Sequence, residues 1–327
     1  MYSGFEGTGE LGAMQVLRQY DEMPASARRG VVAIGNFDGV HRGHKALLRA
    51  TTERARSDGR QAGVVLFEPH PRELFQPDEP HFRLTPLHEK LRLIAREGLD
   101  FSAVLTFDKA LAGLSAAAFI EDLLVGWLHI GHVVVGYDFC FGRGRSGTTE
   151  TLQTAGLALG FGTTVLPEQG EAGAVFSSTA IRRSLAQGDV AGAARALGHW
   201  WRVSGRVEPG ARIGRDLGFP TINIDLPRGA VLMHGIYAAR VTIGDGQHPH
   251  DGAAYFGTRP TVDAGAPRLE VFLIDFDGDL YGREVSVELI GYIRADQAFA
   301  SLEEMRTQMV ADCAQARAIL AAAPAVP

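Results

Sequence analysis

Between residues 31 and 166, short apolar runs alternate with segments whose apolar residues recur at helical spacing. The runs at 31–34, 62–67, 103–107, 132–136 and 163–166 read as strands. The stretches at 44–55, 86–97, 116–128 and 149–159 read as helices, with Leu87, Leu91 and Ile94 setting the spacing in the second. Strands that alternate with helices predict a parallel, doubly wound sheet. Ligands of such sheets bind outside the carboxyl ends of the strands, so the loops after each run are where chemistry is expected.

The pattern changes near residue 198. Residues 179–197 read as helical and end at Gly198-His199-Trp200-Trp201. Short β-patterned runs follow at 201–207, 221–224, 235–243, 253–255, 269–276 and 284–290, separated by glycine and proline. That spacing predicts a small β-barrel, closed by a C-terminal helix at 301–320. The expected organisation is a loose extension at 1–29, an α/β domain at 30–197 and a β-barrel domain at 198–327. No internal repeat or low-complexity tract interrupts it. A length of 327 residues suits two domains, and 46% apolar content lets each build a core.

With 32 basic and 38 acidic residues the net charge is −6, which argues against a broad basic surface for nucleic acid. Phosphate binding must then be local. The two cysteines, Cys140 and Cys313, lie far apart and outside any C-x-x-C pair, so neither a disulfide framework nor a structural zinc site is expected, as suits the cytoplasm. No apolar run approaches the roughly eighteen residues of a membrane span, and residues 1–29 lack the basic start and apolar middle of a signal peptide.

Residues 35–44, Gly-Asn-Phe-Asp-Gly-Val-His-Arg-Gly-His, join the first strand to the first helix. A helix N-terminus carries partial positive charge and unpaired N–H groups, which suit an anion. His41 and His44 can add hydrogen bonds to a phosphate whose charge grows in a transition state. Gly35, Asn36 and Asp38 shape the turn. Glu68-Pro69-His70-Pro71 follows the second strand. In residues 136–142, Phe139 and Phe141 could line a flat aromatic ligand and Asp138 could accept a hydrogen bond from it. Ser177, Ser178 and Thr179 at a helix start, with Arg182 in its first turn, form a second candidate phosphate clamp. Taken singly, each segment also reads as surface decoration, a rigid turn, packed phenylalanines or an N-cap. Residues 142–147 satisfy G-x-G-x-x-G but lack an acidic ribose ligand, and no Walker A sequence occurs.

In the second half, Gly214 and Gly218 flank Arg215 in a loop whose backbone can approach a polyphosphate. Thr221 and Asn223 lie two apart, so a strand points them the same way. Their hydroxyl and amide oxygen could hold Mg²⁺ together with phosphate oxygens and water. Glu270 stands near the start of a β-patterned run, where an unpaired buried carboxylate would be costly. The plain alternative is an edge strand with Glu270 in solvent.

In order, G-N-F-D-G-V-H-R-G-H, E-P-H-P, G-Y-D-F-C-F-G-R-G-R and S-S-T-A-I-R closely resemble the adenylyltransferase half of the prokaryotic bifunctional riboflavin kinase/FAD synthetases, over residues 31–197. His41-Arg42-Gly43-His44 matches the H-x-G-H signature of the wider nucleotidyltransferases. G-R-D-L-G-F-P-T-I-N at 214–223, G-T-R-P-T-V at 257–262, L-E-V-F-L-I-D-F at 269–276 and L-Y-G-R at 280–283 resemble the riboflavin kinase half, over residues 198–315.

The resemblance implies a doubly wound nucleotidyltransferase domain followed by a riboflavin kinase barrel, acting on small molecules alone. The second domain would phosphorylate riboflavin with ATP to give FMN. Glu270 would be the general base there, Gly214, Arg215 and Gly218 would bind ATP, and Thr221 and Asn223 would hold Mg²⁺ and phosphates. The first domain would join FMN to a second ATP, giving FAD and pyrophosphate. His41 and His44 would be catalytic; Gly35, Asn36, Asp38, Ser178, Thr179 and Arg182 would bind the nucleotide's phosphates; Pro69, His70, Pro71, Asp138, Phe139 and Phe141 would face FMN.

Three positions depart from the family pattern. Ile222 replaces the usual alanine, Tyr255 an asparagine, and Phe272 a histidine or tyrosine. A different H-x-G-H adenylyltransferase, acting on a pantetheine or nicotinamide substrate, would explain the first half only. A non-catalytic flavin-binding protein would be expected to have lost His44, Glu270 or Thr221, and all three are present.

Overall fold

The computed structural model describes residues 9–11, 13–171, 173–208, 219–226, 229–244, 246, 248–258 and 267–325. The chain forms two compact units, Met1–His81 with Thr85–Phe176, and Phe82–Leu84 with Ser177–Pro327.

The first unit is built on β1 (Gly9–Leu11), β2 (Met14–Arg18), β3 (Val31–Ile34), β4 (Ala62–Glu68), β5 (Phe101–Thr106), β6 (His132–Gly136) and β7 (Gly162–Leu166). Their spatial order is β1-β2-β5-β4-β3-β6-β7, all parallel except the β1–β2 pair. Alternation along each strand sorts the core into two layers. Val31, Ala33, Val64 and Leu66 face one way, against Leu47 and Leu48 of α1 (Arg42–Asp58) and Leu91 and Ile94 of α3 (Leu87–Ala95). Val32, Ile34, Val65, Val133 and Val135 face the other. There they meet Ile120 and Leu123 of a π-helical segment, Phe119–Trp127, and Leu152 of α6 (Thr149–Leu159). Short helices α2 (Pro71–Phe75), α4 (Lys109–Gly113) and α5 (Ala116–Ala118) complete the connections, and β8 (Gly170–Glu171) and β9 (Ala174–Val175) form a small hairpin.

The sheet is therefore doubly wound, as the alternation predicts. Its strand order reverses between β3 and β6, which are neighbours although β4 and β5 separate them in sequence. Ligands of open sheets bind in the crevice at such a reversal.

One expectation is corrected. Residues 1–29 are not simply a loose extension, because β2 pairs in parallel with β5, and Met14, Val16, Leu17, Met23 and Ala27 are buried. The strand is five residues long and its flanks are mixed in charge, so composition averaged over the segment hides it.

The second unit curls six antiparallel strands in the order β10 (Arg202–Arg206), β15 (Glu284–Arg294), β12 (Gly235–Ile243), β13 (His250–Thr258), β14 (Pro267–Leu273), β11 (Thr221–Ile224). An isolated bridge between Glu208 and Asn223 joins the two edges. Among the described residues the sheet is thus an open barrel whose edges this bridge ties. Trp201, Val203, Tyr237, Val241, Ala254, Val271 and Val287 fill its interior. Helices α7 (Ser178–Ala186) and α8 (Val190–Leu197), expected as one stretch of the first domain, belong to this unit and contribute Ile181, Leu185, Val190 and Leu197 to that core. Gly188, at φ +76°, and the N-cap Asp189 break them apart. The C-terminal helix α9 (Leu302–Ala322) covers part of the outer face, where Ala316 and Leu320 meet Ala238, Ile274 and Ile290.

Candidate active sites, one in each unit

In the first unit, α1 starts two residues earlier than its periodicity suggests, and His41 is its N-cap. The His41 Nδ1 accepts a hydrogen bond from the His44 backbone N–H at 3.3 Å, which leaves Nε2 as the protonated, donating nitrogen. The two imidazoles stack with centroids 3.6 Å apart. Burial lowers His41 to a pKa of about 4, although the Asp38 carboxylate opposes the shift. His44 is also lowered well below the usual imidazole range, by burial first and then by the charges of His41 and Lys90. The pair is therefore neutral at physiological pH, and each ring can donate one hydrogen bond without having to lose a proton. Gly43 leaves room for the stack, since a Cβ there would press on the His41 ring at 3.1 Å.

The turn feeding this helix is strained. Phe37, Gly39 and Val40 all have positive φ (49°, 87° and 41°), and for a β-branched residue that is a genuine outlier. At Phe37 and Val40 such a conformation costs on the order of 1–3 kcal/mol each and persists only where the surroundings impose it. Here Phe37 and Val40 are fully buried. The Asp38 carboxylate accepts from the Thr85 N–H at 3.2 Å, and the Thr85 hydroxyl accepts from the Gly39 N–H at 3.0 Å. Asp38 thus acts as a brace for the turn. The Asn36 Oδ1 and His44 Nδ1 are buried with no hydrogen-bond partner among the described residues, an arrangement that native interiors rarely leave without a ligand or water. Arg42 pairs with Glu171 of the β8–β9 hairpin and lies over the Phe176 ring at 4.6 Å.

The other loops sit at the same sheet edge. Glu68 ends β4, and His70 caps α2 and stacks on His81 at 4.4 Å. The loop after β6 brings Asp138 to the surface, with Phe139 half-buried and stacked at 5.6 Å on Phe141. Phe141 itself is a core residue, packed 5.2 Å from Phe119, so Phe139 is the more accessible ring of the two. Lys90 was not singled out from sequence, yet it is buried on α3 and its charge reaches His44. Its position three residues after Leu87 and four before Ile94 puts it on the helix's apolar stripe, which is the signal that could have found it.

Ser178, Thr179 and Arg182 lie on α7 in the second unit, where Ser177 is the N-cap and the Arg182 Nε donates to the Phe82 carbonyl at 2.7 Å. Gly214, Arg215 and Gly218 fall outside the described residues.

The second unit's site is made by strand register. Asn223 pairs with Glu270, Glu270 with Tyr255, Tyr255 with Ile236, and Ile236 with Arg294, one row across five strands. Directly paired residues point to the same face of a sheet. The neighbouring row Ile222–Val271–Ala254 points into the barrel, so this row faces outward. Thr221, two residues before Asn223, shares its face and pairs with Phe272. Asn223 is 5% exposed and Glu270 7%, so the carboxylate is not a solvent-facing edge residue.

Beside this row lies a cavity of about 340 Å³, between the outer sheet face and the start of α9. Thr221, Tyr255, Glu270, Asp296 and Gln297 are among its polar lining, and Phe219, Phe272, Phe299, Met305 and Met309 among its apolar lining. A fork of hydrogen bonds holds α9 in place, with the Arg294 Nε and Nη2 donating to the two Asp312 oxygens at 2.8 and 2.7 Å, while within the helix Gln308 donates to Asp312 at 2.9 Å. Cys313, raised to a pKa of about 11 chiefly by burial, stays a neutral thiol. Phe299, Met305 and Met309 were not anticipated, because nothing in a sequence says which strand face a distant helix covers. Among the described residues no group of three or more His, Cys, Asp or Glu side chains is arranged to hold a metal. None of their helices is long and apolar enough to cross a membrane.

Residues 23–180 match the protein-family model for FAD synthetase and residues 197–320 that for riboflavin kinase. The bifunctional riboflavin kinase/FMN adenylyltransferase of Escherichia coli strain K12 is 45% identical over 305 residues, covering 93% of this chain and 97% of its own length. The protein of the same name from Pseudomonas fluorescens is 43% identical, covering 94% and 98%. A Streptococcus pneumoniae crystal structure described as a macrolide-efflux protein superimposes with a TM-score of 0.81 at 27% identity, covering 92% of this chain and 98% of its own. That likeness concerns the fold, whereas the sequence relatives are matched along both halves of the chain. The chain belongs to the family of bifunctional riboflavin kinase/FMN adenylyltransferases.

Proposed function

We propose that the chain converts riboflavin to FMN in its second unit and FMN to FAD in its first. The observation that carries this reading is the row through Asn223, Glu270 and Tyr255 beside an apolar cavity with aromatic walls. A flat ring system fits such walls, and a hydroxyl projecting toward the row would meet a carboxylate. Glu270 would take the proton of the riboflavin 5′-hydroxyl as its oxygen bonds to the γ-phosphorus of ATP, and ADP would leave with the bridging oxygen. The hard oxygens of Thr221 and Asn223, next to a carboxylate, suit Mg²⁺, and these two residues would hold it. Bound there, the ion would neutralise phosphate charge. Gly214, Arg215 and Gly218 are proposed as ATP contacts on the family pattern alone.

In the first unit, a phosphate oxygen of FMN would attack the α-phosphorus of ATP and pyrophosphate would leave. No protein nucleophile is required. The neutral His41 and His44 rings and the free N–H groups opening α1 would donate to the oxygens on which charge builds. Asp38 would keep the turn in its strained form. Asp138 and Phe139 after β6, with Pro69, His70 and Pro71 after β4, are proposed to face FMN, and Phe141 to support Phe139 from the core. The roles of Ser178, Thr179 and Arg182 on the pyrophosphate rest on the family pattern. A cytoplasmic location belongs to the same proposal, since both reactions consume ATP.

Incubating the purified chain with riboflavin, ATP and Mg²⁺ and separating the flavins tests the reading. FMN followed by FAD is expected. Riboflavin left unconverted would overturn it, and FAD made only from supplied FMN would reduce it to a single activity.

A further inference from the structure

Tyr255 stands where the family usually has an asparagine, and its surroundings give the exchange a purpose. It pairs with Glu270 in the strand register, so the two side chains are neighbours on the cavity face. Its hydroxyl donates to the Asp296 Oδ2 at 3.0 Å, 41 residues away in sequence. Two residues further along the same strand face is Gly257, where a Cβ would overlap the Tyr255 hydroxyl. The ring therefore lies along the strand, over a position kept empty for it. An asparagine is too short to span this distance.

Asp296 belongs to the connection between β15 and α9, and Asp296, Gln297 and Phe299 from that connection all line the cavity. On the helix side, the connection is anchored by Arg294 on Asp312. On the sheet side, the hydrogen bond from Tyr255 to Asp296 provides the tie.

We infer that Tyr255 is a positioning residue of the flavin pocket: through Asp296 it holds the connection that carries Phe299 against the sheet beside Glu270. The inference rests on the riboflavin kinase reading of this unit. Tyr255 touches the wall of the pocket without supplying a proton or a phosphate contact, so its loss affects how well riboflavin is held rather than how fast a held molecule reacts.

The test uses Tyr255→Phe, Asp296→Ala and the double variant in the full chain. Riboflavin binding is followed by flavin fluorescence without ATP, and FMN formation is followed separately. Each single variant is expected to weaken riboflavin binding and raise its KM by about threefold to tenfold, as for one lost solvent-exposed hydrogen bond. kcat and the KM for ATP should stay within about twofold. The double variant should be no worse than either single one, since both remove the same bond. Wild-type riboflavin affinity in Tyr255→Phe, a loss in kcat instead of KM, or additive losses in the double variant would each overturn the inference. If the parent chain binds riboflavin but forms no FMN, the kinase reading fails by itself, and the binding measurement still decides the role of Tyr255.

Discussion

The two candidate sites are built in opposite ways. In the first unit the candidate groups come from one uninterrupted stretch, residues 35–44, and local geometry fixes them: a strand end, a turn with three positive-φ residues and a capped helix. In the second, Asn223, Glu270 and Tyr255 come from three strands and meet only through register. A site of the first kind depends on burial and on strain being held in place. A site of the second kind depends on the whole sheet, since a one-residue slip would turn Glu270 into the barrel. The first therefore concentrates its chemistry in a few backbone and imidazole groups, while the second spreads it over side chains that a helix must keep covered.

The sharpest way to break this comparison is at Glu270. Glu270→Gln keeps the side chain's shape and should lower FMN formation by about 10² to 10⁴-fold, the usual worth of a general base. FAD formation from supplied FMN should be unchanged, as chromatography of the flavins would show. The mirror experiment is His44→Ala, which should lower FAD formation by about 10² to 10³-fold through loss of a charge-stabilising donor. FMN should then accumulate from riboflavin at the parent rate.

The cover over the second site can be tested through Asp312. Its carboxylate is buried and takes two hydrogen bonds from Arg294. Asp312→Ala should destabilise the second unit by about 3 kcal/mol by leaving the guanidinium without its partner. Urea unfolding followed through Trp200 and Trp201 fluorescence would measure it. Full stability in that variant would show that α9 does not depend on the fork.

A smaller effect separates the units by pH. His41 is lowered to about 4 in the folded chain, against the ordinary 6.5 when unfolded. Below the unfolded value the unfolded chain binds a proton that the folded chain refuses. Stability from this source is therefore complete above pH 6.5 and falls as the pH drops toward 4, by about 2 kcal/mol between pH 7 and 4.5. His41→Asn, which preserves an N-cap, should flatten that dependence in urea titrations at the two pH values. An equally steep loss in the variant would assign the acid sensitivity to other groups.

Much of this architecture is legible in the sequence, for reasons that differ between the halves. The strands of the parallel sheet are apolar throughout because both faces are covered, and they stand out as runs such as Val31 to Ile34. The H-x-G-H turn is legible because its groups are contiguous. The start of α1 at Arg42 is not, since Arg42-Gly43 carries no apolar periodicity and the cap is itself a histidine. The strand Met14–Arg18 is hidden by polar flanks, although its burial alternates only weakly from that of a core strand. In the second half the run around Glu270 is visible, but its pairing with Asn223 and Tyr255 is a property of register, which no local pattern encodes. The walls contributed by Met305 and Met309 depend on where α9 docks. Ile222 is the clearest case of simple alternation being sufficient: two-residue periodicity puts it inside the barrel, and there it is found.

The central claim is that two independent sites on one chain perform successive steps, with FMN passing between them. Mixing the Glu270→Gln and His44→Ala variants tests it most directly. Given riboflavin, ATP and Mg²⁺, the first alone should leave riboflavin unchanged and the second alone should stop at FMN. Together they should make FAD, because FMN released by one variant is adenylylated by the other. A mixture that stops at FMN, with both variants folded, would contradict the account.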